Sequence, residues 1–449
     1  EIVNYRDHAE NNKRPEGDRI LILEDTDGDG KSDESKVYYQ GRDIDAALGI
    51  SVLGNKVIVT CAPNVLIFTD EDGDDKPDRK EYLFTKSGSP QGDHSTHSVL
   101  FGPDGKLYWN MGNSGLYVHD KHGNPVIDKA GNAVFARGAE QRATEFRGKT
   151  SPYQGGMVFR FNLDGSQFEV LGHNFRNNYE VTVDSFGNLW QSDNDDDGNF
   201  GCRLNYIMEF GNFGYRDEIT GAGWQVSRTG QHPEIPRRHW HQNDPGVVPN
   251  FVQTGAGSPT GITFYEGRLL PQVFWNQVIH CDAGPGVVWA AIANKQGAGY
   301  QGKMIKILEE DNDKWVRPVD VSVAPDGSLF VTDWYDPVVG WNRQHDTGRG
   351  RIFRIAPSNH PYQVSEFDLD TPEGAVAALK SPNYALRFLA WQTLNKMQDK
   401  AEPALIELFQ SNNPRYRARA LWLLTKISGR GFNYVEQAIR DSDEDIRVV

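Results

Sequence analysis

Leu100-Phe101-Gly102-Pro103-Asp104-Gly105-Lys106-Leu107-Tyr108-Trp109 is the stretch that decides the fold. Two alternating apolar runs flank a tight Gly-containing turn, which is the pattern of a β-hairpin. The phrase returns as Val181-Thr182-Val183-Asp184-Ser185-Phe186-Gly187-Asn188-Leu189-Trp190 and as Val321-Ser322-Val323-Ala324-Pro325-Asp326-Gly327-Ser328-Leu329-Phe330-Val331. Weaker copies span 50–59, turning at Gly54-Asn55, and 261–269, turning at Glu266-Gly267. A hairpin recurring at long intervals marks the blades of a β-propeller, because one blade cannot bury its own faces. Five units are visible, and the steps from Gly105 to Gly187 and from Gly187 to Gly267 are long enough to hide another. The expectation is therefore six blades, with seven left open.

The chain has 449 residues, too many for one ordinary core, so two domains are the natural prior. Aromatics at 11% and 46 glycines suit a turn-rich β protein. A formal charge of -15 argues against a nucleic-acid partner, since phosphate binding needs a basic surface. The three cysteines, Cys61, Cys202 and Cys281, form no CxxC, which excludes a disulfide framework, a c-type haem attachment and a thiolate zinc site. No apolar run approaches the roughly 18 residues of a membrane span. A polar start at Glu1 without a signal peptide reads as a mature or trimmed chain.

The β pattern runs over 1–357, closing on Arg351-Ile352-Phe353-Arg354-Ile355. Over 371–449 apolar residues fall at helical spacing, as in Ala375, Val376, Ala378 and Leu379, then Leu386, Leu389, Ala390, Trp391 and Leu394. Ser381-Pro382-Asn383-Tyr384-Ala385-Leu386-Arg387 returns as Asn413-Pro414-Arg415-Tyr416-Arg417-Ala418-Arg419, and a third start appears at Asp441-Ser442-Asp443-Glu444. Paired helices at this period, about 30–45 residues, read as a small HEAT-type α-solenoid. Val449 falls in mid-helix, so the natural protein is expected to continue beyond it. The polar insertion over 116–155 reads either as a functional lid or as decoration.

Asp25, Asp27, Asp29 and Asp33 stand at positions 1, 3, 5 and 9 of a Gly-containing loop, and Asp70, Asp72, Asp74 and Asp78 repeat the spacing. Alternate carboxylates on a tight loop converge on one point, which suits Ca²⁺ with its 6–8 hard oxygen ligands. The alternative is a pair of solvated acidic turns. A third cluster at 193–199 follows a strand end, and its Asp195 and Asp196 are further candidate metal ligands. Asp93-His94 immediately precedes the first hairpin, where a histidine next to a carboxylate is a candidate general base. A turn histidine bonded to backbone is the alternative. Arg238-His239-Trp240-His241 offers an aromatic platform with flanking imidazoles for a carbohydrate, or else a packing tryptophan with loop-bonded histidines.

Asp93-His94, then Gly102-Pro103-Asp104-Gly105-Lys106-Leu107-Tyr108 and Gly112-Asn113, resembles the soluble quinoprotein glucose/sorbosone dehydrogenase family. The resemblance implies that His94 is the base that takes a sugar hydroxyl proton. Gly172-His173-Asn174-Phe175-Arg176-Asn177 is similar to the family's Arg-Asn pair, implying that Arg176 and Asn177 contact pyrroloquinoline quinone (PQQ). Arg317 resembles an arginine that binds the quinone carboxylates, and Asp195 and Asp196 fall where the family supplies ligands to the Ca²⁺ that polarises PQQ. Arginine suits carboxylates because it is permanently charged and bidentate. A narrower resemblance is to large bacterial proteins of the planctomycete type, described as membrane-bound dehydrogenases, which join such a propeller to HEAT repeats and a c-type cytochrome. It rests on 25–33, on Arg238-His239-Trp240-His241, on Gly255-Ala256-Gly257-Ser258-Pro259-Thr260-Gly261 and on Asp333-Trp334-Tyr335-Asp336. Two departures stand out: 43–49 holds no glutamine, and Cys281-Asp282-Ala283-Gly284-Pro285-Gly286 holds no cation where the family has a lysine.

Together these readings imply a periplasmic or secreted PQQ-dependent dehydrogenase of a sugar or related alcohol, with His94 as base oriented by Asp93 and Arg176 stabilising charge. Electrons would pass to a c-type cytochrome. Two rivals remain open at this point: a non-redox glycan-acting enzyme using histidine acid/base chemistry, and a non-catalytic Ca²⁺-stabilised binding platform.

Overall fold

The computed structural model describes residues 1–5, 13–139, 142–195, 200–309, 311–337, 339 and 348–449. The protein is mainly β, a propeller of five blades followed by a small helical C-terminal region. The first blade is Gly49–Leu53, Lys56–Cys61, Asn64–Thr69 and Arg79–Thr85, with His119–Asp120 on its edge. The second is Thr96–Phe101, Leu107–Met111, Gly156–Phe161 and Glu169–Phe175, with Gly211–Asn212 added in parallel. The third is Asn177–Val183, Leu189–Asn194, Cys202–Ile207 and Val252–Gly255. The fourth is Pro259–Tyr265, Gln277–Asp282, Val287–Gln296 and Gly299–Glu309, and the fifth Pro318–Val323, Leu329–Asp333 and Arg351–Ile355.

Four of the five hairpins turn where the sequence places them, with Leu53 opposite Lys56, Phe101 opposite Leu107, Val183 opposite Leu189 and Val323 opposite Leu329. Asp104, Asp184 and Asp326 hold these turns by accepting backbone N–H bonds from residues two positions on. Gly105 and Gly187 then take φ of +78° and +90°, conformations that favour glycine. The fourth hairpin differs from the expectation. Tyr265 pairs with Gln277, so the second strand starts beyond a 3₁₀ turn at Gln272–Phe274 and not directly after Gly267.

The expected sixth blade is replaced by something smaller. Among the described residues the two long steps hold loops: the 116–155 insertion, and 213–251 with its short helix Ile235–His239. The sixth unit of sheet is a two-stranded ribbon, Asp18–Glu24 with Glu34–Gly41. Its Ile20 and Tyr38 pack on Val57, Val59, Leu66 and Phe68 of the first blade. Between the first and second blades, Phe84, Trp109, Phe161 and Phe168 form a buried aromatic cluster.

The helices Pro372–Leu379 and Tyr384–Met397 pack together, as do Glu402–Phe409 and Pro414–Leu424. Asn383 and Asn413 cap the second helix of each pair, accepting from the Leu386 and Arg415 N–H groups at 2.9 and 3.0 Å. This region docks on the hairpin turns. Trp391 lies against Gly105, Trp422 against Gly187, and the Asn383 amide donates to the Val323 carbonyl at 2.8 Å. The turns follow the innermost strand of each blade, so the helices cover one end of the propeller and the residues that precede those strands gather at the other.

Candidate active site

That other end holds a pocket of about 370 Å³. Leu48, His94, Arg176, Ser258 and Arg317 all line it, each standing one or two residues ahead of the innermost strand of its own blade. Asp93, Asn177, Tyr179 and Thr260 line it too. The structure thus brings together His94, Asp93, Arg176, Asn177 and Arg317, the residues singled out by sequence, although they belong to three different blades.

The local scaffold explains their placement. His94 Nδ1 is 2.8 Å from Asn113 Oδ1, and the His94 carbonyl accepts from the Ser114 N–H at 2.9 Å. An amide oxygen at Nδ1 requires Nδ1 to carry the hydrogen, which leaves the lone pair on Nε2. The Asn113 backbone N–H meanwhile donates to the Arg176 carbonyl at 2.6 Å, so one loop residue fixes both. Gly112 makes this approach feasible, since a Cβ there would stand 2.7 Å from the His94 carbonyl oxygen. Asp93, expected to orient His94, lines the same pocket, and Asn113 contacts the ring at Nδ1; the Gly112-Asn113 step carries no role in the sequence reading.

Arg176 is held from behind. Its backbone N–H donates to Asp193 Oδ1 at 3.2 Å, Nη1 donates to the Asn194 carbonyl at 3.2 Å, and Nε lies 3.4 Å from Asp195 Oδ1. Asp195 is fully buried, and its other oxygen contacts His239. Asp193 is bound at Oδ2 by both Nε and Nη2 of buried Arg203, at 3.0 and 2.8 Å, and the Arg203 guanidinium lies 3.5 Å from the centre of the Trp240 ring. Burial lowers the Arg203 pKa and raises that of Asp193, each shift being opposed by the partner's charge.

This corrects one expectation. Trp240 is 0% exposed, its indole N–H donating to the Gly201 carbonyl at 2.5 Å, so no face is open to a sugar. His239 and His241 are equally buried, and His241 Nδ1 lies 2.7 Å from the Gly214 carbonyl oxygen. The 239–241 motif is a buttress behind Arg176, not a substrate platform. Asp195, a candidate metal ligand, lies with Oδ1 3.4 Å from Arg176 Nε and Oδ2 against His239. Asp196 lies outside the described residues.

Arg317 stands at the start of the fifth blade. Its backbone N–H donates to Asp333 Oδ1 at 2.7 Å, and its guanidinium donates to the carbonyls of Val316 and Pro337 at 2.8 and 3.2 Å. Asn177 is 5% exposed, and its side-chain oxygen has no hydrogen-bond partner among the described residues. A buried amide left unsatisfied is costly, and a ligand in the pocket would relieve it. Two guanidinium groups are donors that fit a small polycarboxylate such as PQQ, the orphan Asn177 oxygen is an acceptor for an N–H or O–H of a ligand, and the cavity lies in the size range of cofactor sites.

The aspartate loops sit elsewhere, at the tips of the ribbon and of the hairpin joining Asn64–Thr69 to Arg79–Thr85. Asp25, Asp27 and Asp29 bring one carboxylate oxygen each within 4.8 Å of one another, as do Asp70, Asp72 and Asp78. Asp33 instead accepts from the Thr26 N–H and hydroxyl, bonds that lower its pKa, and Asp74 accepts from the Lys76 N–H.

A Borreliella burgdorferi protein of uncharacterized function is 21% identical over 317 residues, spanning 66% of this chain and 76% of its own. A Thermus thermophilus structure assigned as a glucose dehydrogenase superposes with a TM-score of 0.47 and 17% identity, covering 76% of this chain and 91% of that one. The holo PQQ domain of pyranose dehydrogenase from Coprinopsis cinerea gives a TM-score of 0.43 at 16% identity, covering 68% and 83%. A PQQ-bound aldose sugar dehydrogenase from Streptomyces coelicolor gives 0.38 at 16%, covering 69% and 94%. Residues 1–359 match the model of a family described as a domain of unknown function, DUF7133, and the chain belongs to that family.

Proposed function

We propose that the pocket is the active site of a PQQ-dependent dehydrogenase acting on a sugar or related alcohol. The observation that carries this reading is the convergence of His94, Arg176, Asn177 and Arg317 on one cavity, from blades far apart in sequence. Arg176, Arg317 and Asn177 would hold the cofactor, the first two through its carboxylates and carbonyl oxygens. PQQ, when bound, supplies a quinone that accepts a hydride equivalent.

The chain's own contribution is positioning and proton transfer. Oxidation of an alcohol carbon removes a hydride from carbon and a proton from oxygen. His94 takes that proton at Nε2, because Nδ1–H is engaged by Asn113. The resulting imidazolium is stabilised by the Asp93 carboxylate in the same pocket. Arg176 brings a permanent positive charge to the site, its guanidinium placed by Asp195 and the Asn194 carbonyl and its backbone by Asp193 before substrate arrives.

We further read the two aspartate loops as Ca²⁺ sites, the ribbon as occupying the sixth blade position, and the helices over 371–449 as a HEAT-type solenoid distinct from the propeller over 1–357. Electrons would leave to a c-type cytochrome in a periplasmic or extracellular setting. No helix among the described residues is long and apolar enough to cross a membrane.

The test is dye-linked oxidation of an aldose and polyol panel by protein loaded with PQQ and Ca²⁺. The expected result is turnover that falls by about 10²–10⁴-fold in His94→Ala, the range for loss of a general base. Absence of turnover across the panel refutes the reading.

A further inference from the structure

His97 is buried behind the pocket wall, and the proton chemistry assigned to His94 does not use it. It is 0% exposed and stands on the innermost strand of the second blade, Thr96–Phe101. The pairing of that strand with Leu107–Met111 is irregular between Thr96 and Val99, and such a bulge re-aims the side chains within it. The His97 ring is turned toward the third blade, where it stacks on Tyr179 with centroids 4.8 Å apart at an interplanar angle of 28°. Tyr179 in turn lines the pocket.

Both ring nitrogens of His97 meet backbone carbonyls. Nδ1 is 2.7 Å from the Asn178 oxygen, and Nε2 is 3.0 Å from the Asp93 oxygen. A carbonyl only accepts, and a neutral imidazole carries one N–H. Only the imidazolium, with two, satisfies both. The carbonyls themselves are held in place. Asn178 Nδ2 donates to the Met157 carbonyl at 3.0 Å and to Gln191 Oε1 at 3.1 Å, and its own carbonyl also accepts from Asn110 Nδ2 at 2.9 Å. Just beyond Asp93, the Ser95 N–H donates to the Gly92 carbonyl at 3.2 Å, and the Ser95 carbonyl accepts from the Gly112 N–H at 2.9 Å. The Tyr179 face adds attraction for a ring cation. The titratable groups facing His97 are Asp93, His94 and the Tyr179 phenol; Glu180, next along the third blade, bonds Ser98 and Asp320 instead. Burial is the largest influence and lowers the His97 pKa, His94 lowers it further, and the two carbonyls and the Asp93 charge oppose the shift.

We propose that His97 is a positioning residue for the pocket, a clamp that as an imidazolium grips the Asp93 and Asn178 carbonyls together and as a neutral ring grips only one. This rests on reading the pocket as an active site in which His94 is the base. The Asp93 carbonyl stands one residue before His94, and the Asn178 carbonyl one residue after Asn177. A single ring thus ties the base on the second blade to the ligand-holding pair Arg176-Asn177 on the third. Loss of its proton frees one arm and loosens the spacing between them. The clamp is closed in acid and opens one arm as pH rises through a value below the ordinary histidine value of about 6.5. Its charge, when present, adds to those of Arg176 and Arg317 and favours an anionic ligand.

The experiment is NMR of the full chain carrying ¹⁵N-labelled histidine, with the His97 ring signals identified by their contacts with the Tyr179 ring and by their loss in His97→Gln. The expected result is one ring N–H at about pH 8 and two at about pH 5. Beside it, calorimetry with PQQ in excess Ca²⁺ compares the wild-type chain with His97→Phe, which keeps a stacked ring and has neither donor. The expected loss of affinity is about tenfold at about pH 5 and smaller at about pH 8, a pH dependence that a packing role alone would not give. Thermal melts show whether His97→Phe is folded, and the ring measurement on the wild-type chain stays valid if it is not. A single ring N–H at both pH values, or equal PQQ affinity in a folded His97→Phe at the acid pH, overturns the proposal. Absence of PQQ binding by the wild-type chain overturns the dehydrogenase reading alone, and the ring N–H count then decides the proposal.

Discussion

Replacing Glu266 by alanine should undock the helical region. Glu266 follows the innermost strand of the fourth blade, and its side chain is 1% exposed among three guanidinium groups. Oε2 is 2.9 Å from Arg419 Nη2 and also contacts Arg387, while Oε1 is 2.6 Å from Arg415 Nη1. Ser185 completes the set, donating its N–H and hydroxyl at 3.0 and 2.8 Å. Burial alone would raise the Glu266 pKa, but Arg387, Arg419 and Arg415 together hold it well below the ordinary carboxylate range.

Removing this carboxylate leaves three arginines facing one another, with Asp184, 3.0 Å from Arg415 Nη1, as the one counter-charge among the described residues. Deleting one partner of a buried pair costs about 3–5 kcal/mol. At roughly 2–4 °C per kcal/mol for a large domain, the apparent melting point should fall by about 6–20 °C. Calorimetry gives the shift, and limited proteolysis reports whether the chain beyond Pro357 becomes accessible. Glu266→Gln, which keeps the shape without the charge, should fall between the two. The sign with pH follows from the lowered pKa. The contribution is present above the ordinary value of about 4.3 and is lost only as pH falls through the depressed folded value. A Glu266→Ala variant within about 1 kcal/mol of the parent, with no new cleavage, would refute the electrostatic docking argument.

Two further outcomes follow from other buried or clustered carboxylates. Glu180 and Asp320 meet beside Gly261, where a Cβ would stand 2.7 Å from Asp320 Oδ1, and Glu180 Oε2 accepts from the Ile262 N–H at 2.7 Å. Burial first, and then the charge of Asp320, raises the Glu180 pKa. Stability from the protonated form is therefore complete below about 4.3 and is lost as pH rises through the raised folded value. Glu180→Gln should flatten that decline in melts taken from acid to mildly alkaline pH, and parallel curves would contradict the sign. Ca²⁺ at 100 times its dissociation constant should stabilise the chain by about 2.7 kcal/mol per site. The gain should halve in Asp25→Asn and vanish when Asp70→Asn is added; a gain indifferent to both would exclude the loops as the sites.

The hairpins were legible because their signal is local. An apolar alternation and a turn glycine lie within ten residues of each other, and the repeat of 381–387 at 413–419 is equally short-range. Blade number was not legible, since the sequence does not distinguish a gap filled by a sheet from one filled by loops such as 116–155. His94 is legible as a residue just ahead of an inner strand, whereas Arg176 and Arg317 stand out only through the family resemblance; a propeller brings such positions together whatever their separation. Trp240 misled because a tryptophan beside histidines reads the same whether it plates a ligand or packs under Arg203. The contact of Tyr5 with Trp334 carries no local signal: it forms only where the N-terminal segment meets the last blade.

The most direct test of the central claim is calorimetric titration of the wild-type chain with PQQ in excess Ca²⁺, repeated with Arg176→Ala and Arg317→Ala. One-to-one binding that each substitution weakens by at least about tenfold, the loss of one charge-assisted contact, is the predicted result. No saturable binding by the wild-type chain, or binding indifferent to both arginines, would contradict it.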